Sequence, residues 1–357
     1  MILFSCPRCS SPVALEHREC PSCTAALAFH PPSRRMVEAT GFDIEVDGGL
    51  WHECANRREW RCNWLVADQS GARCFACRLV RHRPPADDTL ANEKLADALG
   101  DQHRLLVQLQ SLGIPVDPWF EGDGGLGFDL LSSYSENRVV TIGHANGIVT
   151  LDLVETLDQV REQTRVRLGE AYRTMLGHYR HEAGHYYQWI LVEQTRWIDE
   201  CRTLFGDERA SYTDALARHY ESGAPEGWQD AFISEYATMH PWEDFAETFA
   251  HYLHITGVLQ TSASAGVVID AAGPVPPQPV RPRPSYGPDD FDAMLADWRW
   301  TSGFFNQVNR SIGKADFYPF RFVAAPVVEK LRFVHRVLTA LPPTHIAPTD
   351  GFARRAA

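Results

Sequence analysis

The sequence predicts an α+β chain, in which a mainly helical domain with a small antiparallel sheet follows a cysteine-rich region that folds around metal. Three observations carry this expectation. Eight of the nine cysteines fall within the first 77 of 357 residues. Apolar residues alternate about one Asn-Gly dipeptide, the pattern of a β-hairpin. Elsewhere apolar residues recur at helical spacing. The length allows more than one folded unit, and 44% apolar with 22% charged residues is ordinary globular composition. A net charge of −12 argues against a dedicated nucleic-acid binder. No apolar run approaches the length of a membrane span. MILFSCPRC lacks the basic leader and long apolar core of a secretory signal. A cytoplasmic protein without a membrane partner is therefore expected, its cysteines serving as metal ligands and not disulfides.

Residues 1–85 form the expected zinc-ribbon region, closing at the proline break in RHRPPADD. Cys6, Cys9, Cys20 and Cys23 make C-x2-C-x10-C-x2-C. Each C-x-x-C is a knuckle that aims two thiolates at one ion, and two knuckles complete a tetrahedron. Cys54, Cys62, Cys74 and Cys77 are spaced less regularly but also supply four sulfurs, with His52 the rival ligand. Two structural zinc ions are expected; spacing alone leaves iron open. Residues 1–85 hold 11 Arg, no Lys and 9 Asp or Glu. Eight thiolates and two divalent ions then leave a net charge of about −2, poor for binding phosphate. Scaffolding or docking of a protein partner is expected of this region.

Residues 86–350 form the expected main domain. A first amphipathic helix spans Leu90 to Leu112 and stops at Gly113 and Pro115. The hairpin follows within 139–153, where Val140 and Ile142, then Val149, Leu151 and Leu153, alternate about Asn146-Gly147. Helical patterning runs from about Val154 to Gly169 and again from Tyr172 to Trp197. A further helix starts at His240-Pro241-Trp242 and reaches about Ile255. The proline-dense stretch 271–288 is an inserted loop. Two last helices are expected over Asp289–Trp300 and Pro326–Leu341.

Within HYRHEAGHYYQW (178–189) stands His181-Glu-Ala-Gly-His185, an H-E-x-x-H pattern. On a helix the two histidines lie one turn apart on one face and reach a single zinc. Glu182 is rotated beside the metal, where an attacking water sits. A third protein ligand is required. An extended form with Gly at 188 and His at 191 is excluded, because the chain has Gln188 and Leu191. His240, His251 and His254 remain available, but SEYATMHPWEDFAETFAHYLHI favours a glutamate. Glu243 and Glu247 are four apart on one helical face. One can bind the metal while the other fixes an imidazole tautomer. Glu243, at the helix start, is the expected ligand; Glu247 is the alternative and otherwise supports the ligands from behind. His178 is expected beside the ligands and not among them, and Cys201 is expected to be a buried thiol.

The arrangement resembles the gluzincin metallopeptidases, specifically lethal-factor-type enzymes with an E-x-F-A-E helix, matched by Glu243-Asp-Phe-Ala-Glu247. The chain is more similar still to a bacterial family of uncharacterised zinc metallopeptidases with an N-terminal zinc ribbon. The matching segments are CNWLV, GEAYRTMLGHYRHEAGHYY, LFGDERASY, HPWEDFAETFAHYLH, NRSIG and EKLRFVH. This resemblance implies a zincin-like fold, a catalytic zinc and a protein or peptide substrate. It also implies that Tyr236, seven residues before the ligating glutamate, stabilises the transition state. The expected chemistry is peptide-bond hydrolysis with Glu182 as the base. Two alternatives stand beside it: a DNA-associated zinc protease, and a zinc-binding scaffold without activity.

Overall fold

A computed structural model describes residues 3–41, 43–67, 71–157, 174–270, 278–318, 320, 324–341 and 344–355. Most of the helix expected over 154–169 lies outside the described residues, as do 271–277 of the proline-rich loop. The N-terminal region is built from short antiparallel pairs: β1 (Phe4–Ser5) with β2 (Pro12–Val13), β3 (Leu27–His30) with β4 (Arg35–Glu38), and β5 (Ile44–Val46), β6 (Gly49–Glu53) and β7 (Leu65–Val66) in one sheet. Such small sheets bury little on their own. The two four-cysteine clusters sit between them.

The α+β class holds, but the main sheet is mixed and not antiparallel. Its order is β10 (Gly143–Ala145), β11 (Ile148–Asp152), β9 (Gly127–Leu131), β8 (Val80–His82). Only β10 and β11 are antiparallel; β11–β9 and β9–β8 are parallel. Parallel neighbours need a crossover. Between β8 and β9 it is supplied by α2 (Thr89–Ser111), which the sequence pattern placed within a residue at either end. The Asp88 carboxylate caps α2 by accepting the Ala91 N–H at 2.9 Å. The hairpin turns on Asn146 and Gly147, both at positive φ, as a two-residue type I′ turn requires. β8 follows directly on α1 (Phe75–Leu79), so the cysteine-rich region contributes a strand to the main sheet.

Helix α3 (Met175–Gln188) starts at Thr174, whose hydroxyl accepts the Gly177 N–H at 3.0 Å. It does not run unbroken to Trp197. Its last turn widens to π geometry over Trp189–Glu193, where the Thr195 hydroxyl takes the Leu191 and Val192 carbonyls. After α4 (Ile198–Phe205) comes a helix the pattern did not announce, α5 (Tyr212–Ser222), which buries only Ala215. Helix α6 (Pro241–Ser264) continues well past Ile255. Gly257 does not break it, because the missing side chain leaves room for Gln108 of α2 to donate to the Leu253 carbonyl. Helices α7 (Phe291–Ser311) and α8 (Ala325–Thr339) complete the helical layer, α7 running eleven residues beyond its expected end.

One core joins most of this, while Ala28, Ile44, Val46, Trp51 and Leu65 form a second, smaller cluster at the β5–β7 sheet. The larger core runs from Phe4 through the cysteines, the main sheet, α3 and α6 to Phe352. The C-terminal hairpin, β12 (Thr344–Ile346) with β13 (Ala353–Arg355), closes it. Fully buried Phe352 stacks on Phe75 at 4.7 Å and on Trp64 at 6.1 Å, tying the C-terminal hairpin to the cysteine-rich region. Among the described residues no helix is long and apolar enough to cross a membrane.

Candidate metal centre

Helices α3 and α6 pack face to face, and the reason is local. A Cβ on Gly184 would stand 2.8 Å from Ala246 Cα and 3.0 Å from Ala246 O. Two small residues at the crossing thus let the backbones approach unusually closely. The crossing lies between His181 and His185 on one helix and Glu243 and Glu247 on the other. It brings the Glu243 Oε2 atom to 2.9 Å from His181 Nε2 and 3.4 Å from His185 Nε2. Nitrogen and oxygen ligands bound at about 2.0–2.1 Å to one tetrahedral zinc stand roughly 3.3 Å apart. Both oxygen–nitrogen separations lie near that value, and the three ligand atoms all fall within 4.8 Å of one another, so these groups could hold one ion.

The surroundings fix these groups. The His181 Nδ1–H donates to Glu247 Oε1 at 2.6 Å, leaving Nε2 for a metal. The Ser234 hydroxyl donates to the other Glu247 oxygen at 2.6 Å. The Trp242 ring lies 4.5 Å from that of His185. Burial opposes ionisation of Glu243, but His185 and His181 more than offset it and hold its carboxyl well below the usual range. Glu182 is buried, and its Oε2 atom has no hydrogen-bond partner among the described residues. Burial pushes its carboxyl up, while the neighbouring imidazoles pull it back. Tyr236, in a short 3-10 turn, places its ring 5.9 Å from that of His181. Burial is the main cause that raises its phenol.

The other candidates lie elsewhere. His240 caps α6 through Nδ1, which accepts the Trp242 N–H at 3.1 Å, and its Nε2–H donates to the Ala210 carbonyl at 3.0 Å. His251 pairs with the Tyr318 hydroxyl at 2.6 Å, and His254 sits against Arg180. None of the three joins the ligand group. His178 faces Glu155 at 3.9 Å. Cys201 is buried, which pushes its thiol up to about 12.

Two residues at the site were missed. Tyr212 of α5 donates its hydroxyl to Glu243 Oε1 at 2.8 Å. Lys330 of α8 donates to Asp244 Oδ2 at 2.6 Å and to the Ala231 carbonyl at 2.8 Å, anchoring the first turn of α6 from behind. Both lie in segments quoted above, LFGDERASY and EKLRFVH, but neither spacing nor composition links them to a helix distant in sequence.

The cysteines form two further clusters. Cys6 and Cys23 sulfurs are 3.7 Å apart, as are those of Cys9 and Cys20; Cys62 and Cys74 are 3.5 Å apart. Four sulfurs bound at about 2.3 Å to a tetrahedral zinc stand about 3.8 Å apart. In the second cluster the Asn56 and Cys74 N–H groups point at the Cys54 sulfur. His52, the rival ligand, faces Asp43 at 3.4 Å instead. All nine cysteines are free of disulfides.

The chain is 44% identical over 348 residues to uncharacterised proteins of Mycobacterium tuberculosis (strains H37Rv and CDC 1551) and Mycobacterium bovis, covering 95% of this chain and 96% of theirs. No solved structure matches it significantly. Residues 3–88 match a family described as a zinc-ribbon domain. Residues 92–337, which carry both ligand-bearing helices, match the family described as "Putative zinc-binding metallo-peptidase", and the chain belongs to that family.

Proposed function

We propose that this chain is a zinc-dependent peptidase of the H-E-x-x-H gluzincin type, hydrolysing peptide bonds of a protein or peptide. His181, His185 and Glu243 hold the catalytic zinc, and two structural zinc ions sit in the four-cysteine clusters. The observation that carries this reading is the meeting of Glu243 Oε2 with both imidazoles at 2.9 and 3.4 Å. Zinc bound there supplies a lowered pKa for water and polarisation of a carbonyl. Glu182 takes the proton of the attacking water and returns it to the leaving amine. Its burial with Oε2 unpartnered among the described residues supports this role, because a group needed only to pack has no reason to be a carboxylate. Tyr236 donates to the oxyanion that develops during attack. Glu247 stands behind His181.

The position of β10 supports an extended substrate. It is an edge strand, and its His144 ring lies 5.8 Å from Tyr186 and 6.1 Å from Trp189, at the end of the ligand-bearing helix. Its outer edge, unpaired among the described residues, can pair with a peptide backbone. Residues 1–85 act as scaffold and as a docking face for a protein partner, while 86–350 carry the chemistry, in the cytoplasm. The shared core and the strand β8 favour a fixed scaffold.

Metal counting tests the reading. About three zinc per chain are expected, falling by about one in His181→Ala while the thiolate sites stay filled. Two zinc in the intact protein overturn the hydrolytic centre. A peptide-library digest then reads activity, which Glu182→Gln abolishes without loss of zinc. Retained metal with an unaffected Glu182→Gln variant favours the inactive-scaffold reading, and salt-sensitive DNA binding favours the DNA-associated one.

A further inference from the structure

Helix α5 is held unlike its neighbours. Of its eleven residues only Ala215 is buried, so packing contributes little to its position. Gly206 and Gly223, both at positive φ, bound the segment that contains it. Its first residue nevertheless reaches deep into the molecule. The Tyr212 ring is partly exposed, yet its hydroxyl donates at 2.8 Å to Oε1 of Glu243, a residue only 2% exposed. The ring is steadied by His240 at 5.3 Å and Trp242 at 6.3 Å. His240 also ties the start of α6 to the Ala210 carbonyl, two residues before Tyr212. The Tyr236 phenol is a further neighbour, raised chiefly by burial and in smaller part by Glu243 and Tyr212.

This geometry divides the Glu243 carboxylate into two different oxygens. Oε1 is occupied by the phenol, and Oε2 faces His181 and His185. Without a donor on Oε1 the carboxylate can rotate about its terminal torsion, which is soft. Either oxygen, or both, would then meet the cation. We propose that Tyr212 is the positioning residue for Glu243: it fixes the third ligand as a one-oxygen ligand and keeps the remaining coordination space open for water and substrate. This inference rests on the zinc-site reading above and adds to it the residue that decides how Glu243 binds. Tyr212 touches neither the ion nor the reacting atoms.

Tyr212→Phe removes one oxygen and keeps the ring against His240 and Trp242, so the fold should persist. Two zinc retained in the four-cysteine sites check that it does. Competition with a chromophoric chelator reads zinc affinity of the remaining site, and cobalt substitution reads its coordination through the visible d–d bands. Loss of an outer hydrogen bond to a metal ligand weakens metal binding by about 10–100-fold. The expected result is a drop of that order confined to this one site, with altered cobalt bands. Zinc affinity within twofold of wild type together with an unaltered cobalt spectrum overturns the inference. His181→Ala separates the two failures. If that variant binds as much zinc as wild type, the hydrolytic centre itself is refuted; if it loses one zinc while Tyr212→Phe behaves as wild type, only the role of Tyr212 falls.

Discussion

Replacing Gly184 with alanine is the most discriminating perturbation of the site that leaves every ligand in place. Two effects oppose each other. In a helix interior alanine is favoured over glycine by about 1 kcal/mol, so helix propensity alone makes Gly184→Ala stabilising. Against this, the new Cβ would stand 2.8 Å from Ala246 Cα, 3.0 Å from its carbonyl oxygen and 3.3 Å from its carbonyl carbon. Carbon atoms in favourable contact are about 3.5–4.0 Å apart. All three obstacles are backbone, so no rotamer change relieves them. Helices α3 and α6 must separate by up to roughly 1 Å, and overpacking of this kind costs about 1–3 kcal/mol. The steric term is expected to win, giving net destabilisation of about 1–2 kcal/mol and a melting temperature lower by about 1–2 °C per kcal/mol. The larger effect falls on the metal. The Glu243 oxygen now sits 2.9 and 3.4 Å from the two imidazole nitrogens. A further ~1 Å carries it past the roughly 3.3 Å ligand separation of a tetrahedral zinc. Zinc at this site should weaken tenfold or more, equivalent to about 1.4 kcal/mol, while both thiolate sites hold theirs. Calorimetry and chelator competition read the two consequences separately. A Gly184→Ala variant that melts higher than wild type and binds three zinc as tightly would show that the crossing does not set the site.

Three other outcomes follow from the packing. Lys330→Met leaves the Asp244 carboxylate buried and unpaired, and should cost about 3–5 kcal/mol in urea unfolding, much of it recovered when Asp244→Leu is added. Phe352→Ala empties the space between Trp64 and Phe75 and should cost about 3–5 kcal/mol, with limited proteolysis then cutting near residues 83–88. Burial lowers the His30 imidazole to about 4, so the folded state keeps it neutral while the unfolded chain, with a value near 6.5, takes up a proton. Stability from this group is complete above pH ~6.5 and is lost as pH falls towards about 4, by up to about 3 kcal/mol. With zinc in excess, His30→Gln should flatten the stability profile in that window; an unchanged slope refutes the assignment.

What was legible in the sequence divides by the range of the interactions involved. The α2 boundaries were readable because their signals, leucines at helical spacing and a stop at Gly113 and Pro115, lie within the helix and just past its end. The hairpin was readable because Asn146-Gly147 is a backbone requirement. The four-cysteine clusters and the H-E-x-x-H and E-x-F-A-E segments were readable because their spacing is itself the geometry. Failures occurred where tertiary contacts override local signals. Helix α6 runs through Gly257 because Gln108 fills the space, a contact across 149 residues. Helix α3 widens after Gln188 because Thr195 competes for its carbonyls. The parallel strands β8 and β9 are joined through a helix, and no alternation pattern announced either one. Tyr212 and Lys330 were illegible as site residues for the same reason.

The consecutive residues Glu243 and Asp244 show how site and fold depend on one helix. At adjacent positions of α6 they point in different directions, Glu243 towards the two imidazoles of α3 and Asp244 towards Lys330 of α8. Both carboxylates are buried, and neither is tolerable in the interior without its cation or hydrogen-bond donors. The first turn of α6 is therefore clamped from both sides. A slide or rotation that relieves one carboxylate removes the partners of the other. The His240 cap fixes the same turn at its end, and the Gly184–Ala246 contact fixes it one turn further along. Four constraints on so short a stretch exceed what packing alone needs. They match the demand of a site whose ligand positions must hold to a fraction of an ångström when the surrounding chain moves.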